Sequence, residues 1–347
     1  MKYFLLLLLS FSAHAQEVLY LYNWNNYISE KTIERFERQC SCRVEQDYYS
    51  DNEEMLARLA AGAAGYDLIV PTGNAVESLI RQHALRPLDK SKLPNLKNIA
   101  PSFMNTWFDP GNVYSVPYAF TITLIGYNSE KIRELKLPVD SWAVIFDPRY
   151  LAKLKGRITV LDSQRELIAA ALKYLGYSAN DVDEKHWDLA RDVILEAKPY
   201  WAAFNASSYI RALATGDIWL VHGYSNDIFQ ADQDAKAAGR KFRILASLPK
   251  EGAVLALDSM VLHKSGRHPV LALSFINFML EGKNSAELTN LIGSGNPNMA
   301  AMQYILPDIA DNPAVFPKDM KKLEMLRDLD YRQRRVLSRI WTEIKLK

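Results

Sequence analysis

Cysteine is almost absent from this chain. Two occur in 347 residues, Cys40 and Cys42, with Ser41 between them. That excludes a scaffold built on disulfides, and the pair reads as a local disulfide or as two thiols with no part in function. The six histidines show no spacing that matches a metal site, so neither a metal nor a cofactor is expected. An excess of either charge is also missing. Lys and Arg total 42 against 40 Asp and Glu, a net charge of +2, which excludes a basic nucleic-acid binder. After the amino-terminal residues no apolar stretch is long enough to span a bilayer, so a membrane-embedded protein is not expected. No repeat or low-complexity segment occurs. Two enzyme fingerprints are incomplete. Gly293-Ser294-Gly295 lacks the third glycine of a dinucleotide loop. Gly223-Tyr224-Ser225-Asn226-Asp227 carries Asp where a nucleophile elbow has Gly, with no convincing His and acid after it.

What is present begins with an address. Met1-Lys2, the apolar run Phe4–Leu9 and the ending Ala13-His14-Ala15 form a secretory signal peptide expected to be cut after Ala15. The mature chain, long enough for two lobes with their own cores, is thus expected in the periplasm. Its first segment, Val18-Leu19-Tyr20-Leu21-Tyr22, reads as a buried strand. The strand stops at Asn23-Trp24-Asn25-Asn26-Tyr27, and a helical pattern starts near Ser29. Amides interleaved with Trp and Tyr at the carboxyl end of a strand sit where open α/β sheets bind ligands. The plainer alternative is a Trp covering its own core, with Asn23 and Asn25 serving the turn.

Strands and helices then alternate, which implies a parallel α/β sheet. Asp51 caps a helix that ends at Gly62. Tyr66–Pro71 is a short buried strand, and Val116–Asn128 is a strand long enough to leave one lobe and enter another. Arg157–Leu161 is followed by a helix carrying Glu166 in its first turn, where the dipole alone favours a carboxylate by ~0.3–1 kcal/mol. Asp217–Val221 is a strand followed by a turn bearing Tyr224 and Asp227. Asp258 is the one charge in the apolar strand Ala253–Leu262, which is costly without a cation or several donors to meet it. The plain alternative for Asp258 is a structural acid receiving backbone N–H bonds. The tail Asp319–Lys347 reads as basic and helical. Carboxylates combined with Trp24, Tyr27 and Tyr224 suit an organic cation with an apolar stem, since acids bind ammonium groups and rings attract them by ~0.5–2 kcal/mol each. A carboxylate pair also suits a sugar substrate.

Several segments recur together in one known family. They are Tyr22–Tyr27, Tyr66–Pro71, Val116-Pro117-Tyr118, Asp162–Glu166, Gly223–Asp227, Pro249-Lys250-Glu251-Gly252 with Asp258, and Asn296-Pro297-Asn298. In this order the chain resembles the periplasmic spermidine/putrescine-binding proteins of polyamine ABC importers, and Arg335–Thr342 is similar to the putrescine-binding branch. The resemblance implies a two-lobed type II periplasmic binding protein fold of the α/β class. It has two mixed sheets flanked by helices and two crossing strands, near Thr121–Ile125 and Val254–Asp258. Residues 16–122 and 258–304 would form lobe 1, and 123–257 and 305–347 lobe 2.

By position the resemblance places Trp24, Asn25, Asn26 and Tyr27 at the ligand as wall and hydrogen-bonding groups, with Thr72 as a polar neighbour. Glu166 would face one ammonium end, and Asp227 and Asp258 the other. Tyr224 stands where the family has Trp, Ser207 lines the second lobe, and Ser294 stands where the family has Tyr. Ala256 replaces a bulky aromatic, and Asn26 replaces a common acid. These departures imply a roomier and less acidic slot, for a bulkier or more polar amine or for weak polyamine binding. The expected protein is a non-enzymatic, monomeric, exported solute-binding protein that delivers polyamines to a permease. The alternatives are a protein of the same fold retuned to another cationic cargo or serving as a sensor subunit, and an exported hydrolase.

Overall fold

The long strand Ser115–Asn128 organises the molecule, because it belongs to two groups of strands at once. The computed structural model describes residues 16–347, so the expected signal peptide lies outside the described residues. In chain order the strands are β1 (Val18–Trp24), β2 (Arg43–Tyr49), β3 (Leu68–Ile69), β4 (Leu85–Arg86), β5 (Ser115–Asn128), β6 (Ile158–Leu161), β7 (Ala203–Asn205), β8 (Leu220–Tyr224), β9 (Ile244–Ser247), β10 (Ala253–His263) and β11 (Leu323–Glu324). Hydrogen bonding runs in the order β2-β1-β3-β10-β5-β8-β6-β7. β1 is parallel to β2 and β3, and β6 is parallel to β7 and β8, while β5 and β10 run antiparallel to their neighbours in that order and β10 is parallel to β11. The two mixed sets of strands therefore share β5. Its first part pairs with β10 up to Ile122, and from Thr123 on it pairs with β8 and β9.

Burial explains why these strands form. β5 is apolar or hydroxylated and almost entirely buried, as expected of a strand covered on both faces. β2 alternates partly exposed polar residues and forms an edge. Helices cover the sheet through apolar stripes. Phe36 of the helix Glu30–Cys40 packs its ring at 4.9 Å from Phe275 and 5.3 Å from Phe278. On the far side Trp142 is fully buried and donates its ring N–H to the Gly252 carbonyl at 2.8 Å. Cys40 and Cys42 form a disulfide with Cα atoms 5.1 Å apart, at the end of the Glu30–Cys40 helix.

The structure corrects several boundaries: the strand expected at Asp217–Val221 runs Leu220–Tyr224, and the one at Tyr66–Pro71 is confined to Leu68–Ile69. The tail is not helical from Asp319, because the helix spans Tyr331–Leu346 and starts at a capping box made by Asp330 and Gln333. Before it the chain is extended, and β11 pairs with the start of β10.

Candidate functional site

One cavity of about 940 Å³ opens between the strand ends of the two groups, and elements from both line it. The loop after β1 contributes Trp24, Asn25, Asn26 and Tyr27, and Thr72 precedes the helix Gly73–Arg81. From the other side come Glu166 in the first turn of the helix Gln164–Tyr174, and Tyr224 and Asp227 at the start of the helix Ser225–Ala237. Asp258 lies between them on β10. Nine of the eleven residues expected at the site thus share one cavity.

Two do not line it. Ser294 is fully buried beside Gly295, whose backbone bridges Phe120. Ser207 is exposed in the turn before Tyr209, where its N–H donates to Asn205 Oδ1, and the neighbouring Ala206 lines the cavity instead.

Local chemistry aims the acids inward. At Asp258 the register of β10 against β5 shifts, a bulge that turns the side chain out of the regular alternation. Tyr27 Oη donates to Asp258 Oδ2 at 2.6 Å and Thr72 Oγ1 donates to Oδ1 at 2.7 Å. Thr72 is the N-cap residue of the Gly73–Arg81 helix, yet its hydroxyl makes no cap bond and serves Asp258. The side-chain donors to Asp258 are thus hydroxyls, not the backbone N–H groups of the plain alternative. Glu166 departs likewise from a structural role. Ser163 caps its helix, while Glu166 Oε2 accepts from Thr123 Oγ1 of β5 at 2.7 Å. Asp227 accepts from Tyr209 Oη and, at 2.9 Å, from Asn226 Nδ2.

The rings form the apolar wall. Trp24 donates its ring N–H to the Val70 carbonyl at 2.9 Å and packs 4.6 Å from Tyr49 and 6.4 Å from Tyr27. Asn23 does serve the turn, accepting from the Trp24 N–H at 2.9 Å, and Asn26 adopts the left-handed conformation with φ 57°.

Among the described residues no Lys or Arg forms an ion pair with Glu166, Asp227 or Asp258. Burial raises Glu166 to about 7, against the opposing Thr123 hydrogen bond and the neighbouring Arg165. Burial also raises Asp227 and Asp258 to about 6 each, although the Tyr209, Thr72 and Tyr27 hydroxyls pull the other way. The sequence reading missed Arg165, Glu53, Trp341, Met325 and Leu326 on the walls and Tyr209 behind Asp227. Of these Arg165, beside Glu166, and Trp341, within Arg335–Thr342, had a signal in sequence.

Three acids drawn from separate elements, with no ion-paired Lys or Arg among the described residues and with rings beside them, have the chemistry that suits an organic cation. The chain is 56% identical to the putrescine/cadaverine-binding protein of Pseudomonas aeruginosa, covering 96% of this chain and 95% of that protein. It is 34% identical to the putrescine-binding periplasmic protein PotF of Escherichia coli, over 96% and 92% of the two chains. Its fold matches the spermidine/putrescine ABC transporter substrate-binding protein PotD of Streptococcus pneumoniae with a TM-score of 0.83 at 26% identity, covering 95% and 99%. Residues 31–317 match the bacterial extracellular solute-binding proteins, and the chain belongs to that family.

Proposed function

We propose that this protein captures a linear polyamine such as putrescine, cadaverine or spermidine in the periplasm and delivers it to the permease of an ABC importer. The observation that carries this is the convergence of Glu166, Asp227 and Asp258 in one aromatic-lined cavity without a basic partner. Ammonium groups would neutralise acids whose burial the hydroxyl donors and Arg165 only partly offset, and Trp24, Tyr27 and Tyr224 would cover the methylenes. The Pseudomonas aeruginosa relative is a putrescine/cadaverine-binding protein and the Escherichia coli one a putrescine-binding protein. No helix among the described residues is long and apolar enough to cross a membrane, in keeping with a mobile carrier.

In this proposal residues 16–122 with 258–304 and residues 123–257 with 305–347 move as lobes about β5 and β10, and ligand holds them together as a monomer. Catalysis has no part in it. Isothermal calorimetry with putrescine, cadaverine, spermidine and spermine tests the assignment. Micromolar or tighter binding of at least one is expected, and no heat from any of them overturns it. A second reading, a bulkier amine, is favoured by Ala256 and Asn26 on the cavity wall. Stronger heat from agmatine than from every simple polyamine would select it.

A further inference from the structure

The residues between β11 and the last helix touch both sides of the molecule. On one side Asn180 donates to the Met325 carbonyl at 3.0 Å, and its Oδ1 accepts the Arg327 N–H at 2.7 Å. Arg165, on the cavity wall, donates to the Arg327 carbonyl at 2.8 Å. Asp328 pairs with Arg334 of the last helix, which packs on the helices Gln164–Tyr174 and Glu184–Ala197. On the other side the same short segment meets the helix Gly73–Arg81. The Asp328 N–H donates to Glu77 Oε2 at 2.8 Å, and Arg81 pairs with the Asp328 carboxylate. Arg327 also lies 4.8 Å from the centre of the Trp107 ring. The Asp328 side chain is 8% exposed, so its two guanidinium partners act on a largely desolvated carboxylate. Met325 and Leu326, just before it, line the cavity.

We propose that Met325–Leu329 is a clasp, with Asp328 bridging Arg81 and Arg334, that holds the two lobes closed and sets how long a captured ligand stays. The proposal rests on the lobe motion proposed above and goes beyond it, since none of Arg81, Asp328 and Arg334 lines the cavity. The geometry makes Asp328 a positioning residue. Its partner on the Gly73–Arg81 helix is separated from it when that helix moves away, while Arg334, Asn180 and Arg165 keep the segment on the far lobe. The helix carries Thr72 and Asp258's hydrogen bond at its amino end and Arg81 at its carboxyl end, so one rigid body joins the cavity to the clasp. A contact made only in the closed form shifts the equilibrium toward that form and slows release, with little effect on encounter.

The test is Arg81→Ala in the full mature protein, with stopped-flow release and association of putrescine. Arg81 is half-exposed, so screening trims the effect to about three- to tenfold faster release. The association rate and the melting temperature of the unliganded protein are expected to hold. Arg81→Lys should restore slow release, and added salt should speed release in the wild type more than in Arg81→Ala. Unchanged release overturns the clasp, as does faster release matched by an equal loss of unliganded stability, which marks a merely structural contact. If the wild type binds no putrescine, cadaverine or spermidine, the polyamine reading fails on its own. The same release measurement with agmatine then decides the clasp: faster release from Arg81→Ala supports it, and unchanged release overturns it.

Discussion

Capture of a cation should release protons, and the amount follows from the three buried acids. With Glu166 near 7 and Asp227 and Asp258 near 6, Glu166 is about half protonated at pH 7 and each Asp about one-tenth. A dication held by all three favours the ionised forms. Treated as independent sites, they release about 0.7 proton per ligand at pH 7 and about two at pH 6. The affinity then falls about fortyfold from pH 8 to pH 6, with most of the loss below pH 7. Putrescine stays doubly charged across this range because alkyl ammonium groups titrate near ~10, so the change belongs to the protein. Calorimetry in two buffers of different ionisation enthalpy, at pH 6, 7 and 8, reads both the proton count and the affinity. An affinity constant within threefold and a heat independent of buffer would refute the claim that these carboxylates are desolvated and face the ligand. The unliganded protein has a matching signature of opposite sense. Folded carboxyl pKa values above the unfolded ones mean that the folded chain binds more protons between about pH 4 and 7, so these groups make it less stable as pH rises through that window. Bound polyamine should remove that slope.

Asp258→Asn keeps the size of the side chain and removes its charge. It should weaken putrescine by about 1.5–3 kcal/mol, roughly 10- to 150-fold, while the unliganded protein melts no lower, since an uncompensated buried charge has gone. A loss under threefold would show that Asp258 does not meet the cation. Gly126→Ala probes the strand that joins the two halves. A Cβ there would lie 2.6 Å from Ile228 Cγ1 and 2.8 Å from Val221 Cγ2, so overpacking should cost about 1–3 kcal/mol in chemical denaturation. An unchanged midpoint would mean that the contact between β5 and the Ser225–Ala237 helix yields freely.

Much of the fold is written in local pattern. β5 and β10 are legible because burial on both faces demands continuous apolar runs, β1 by its run of aromatic and branched residues, and the length of β5 announces a strand serving two sets. β2 gives no such sign. Its sequence Arg43-Val44-Glu45-Gln46-Asp47-Tyr48-Tyr49 is that of a solvated edge, held by pairing with β1 through long-range register. The stretch before the last helix misleads for a related reason. Its charged residues look like a helical face, but Asp328 and Arg327 are committed to partners on Gly73–Arg81, at Trp107 and at Asn180, far away in sequence.

The site divides along the same line. A carboxylate in an apolar strand, or just after a strand, is visible because its desolvation is costly wherever the chain goes. So Asp258 could be read directly, while Glu166, alone in a first helical turn, and Asp227 gained meaning only when set beside it and the family pattern. What meets each acid could not be read, because the donors lie elsewhere in the chain. Tyr27 reaches Asp258 across 231 positions and Thr123 reaches Glu166 across 43. Tyr209, fully buried, gave no sign that it serves Asp227. These hydroxyls are neutral. They orient the carboxylates and lower their pKa values, yet burial still leaves all three raised. A basic residue in their place would have stabilised the empty protein and competed with the guest. Neutral donors fix the geometry while leaving the charge for the ligand to neutralise, so the affinity of this cavity and its sensitivity to pH have the same origin.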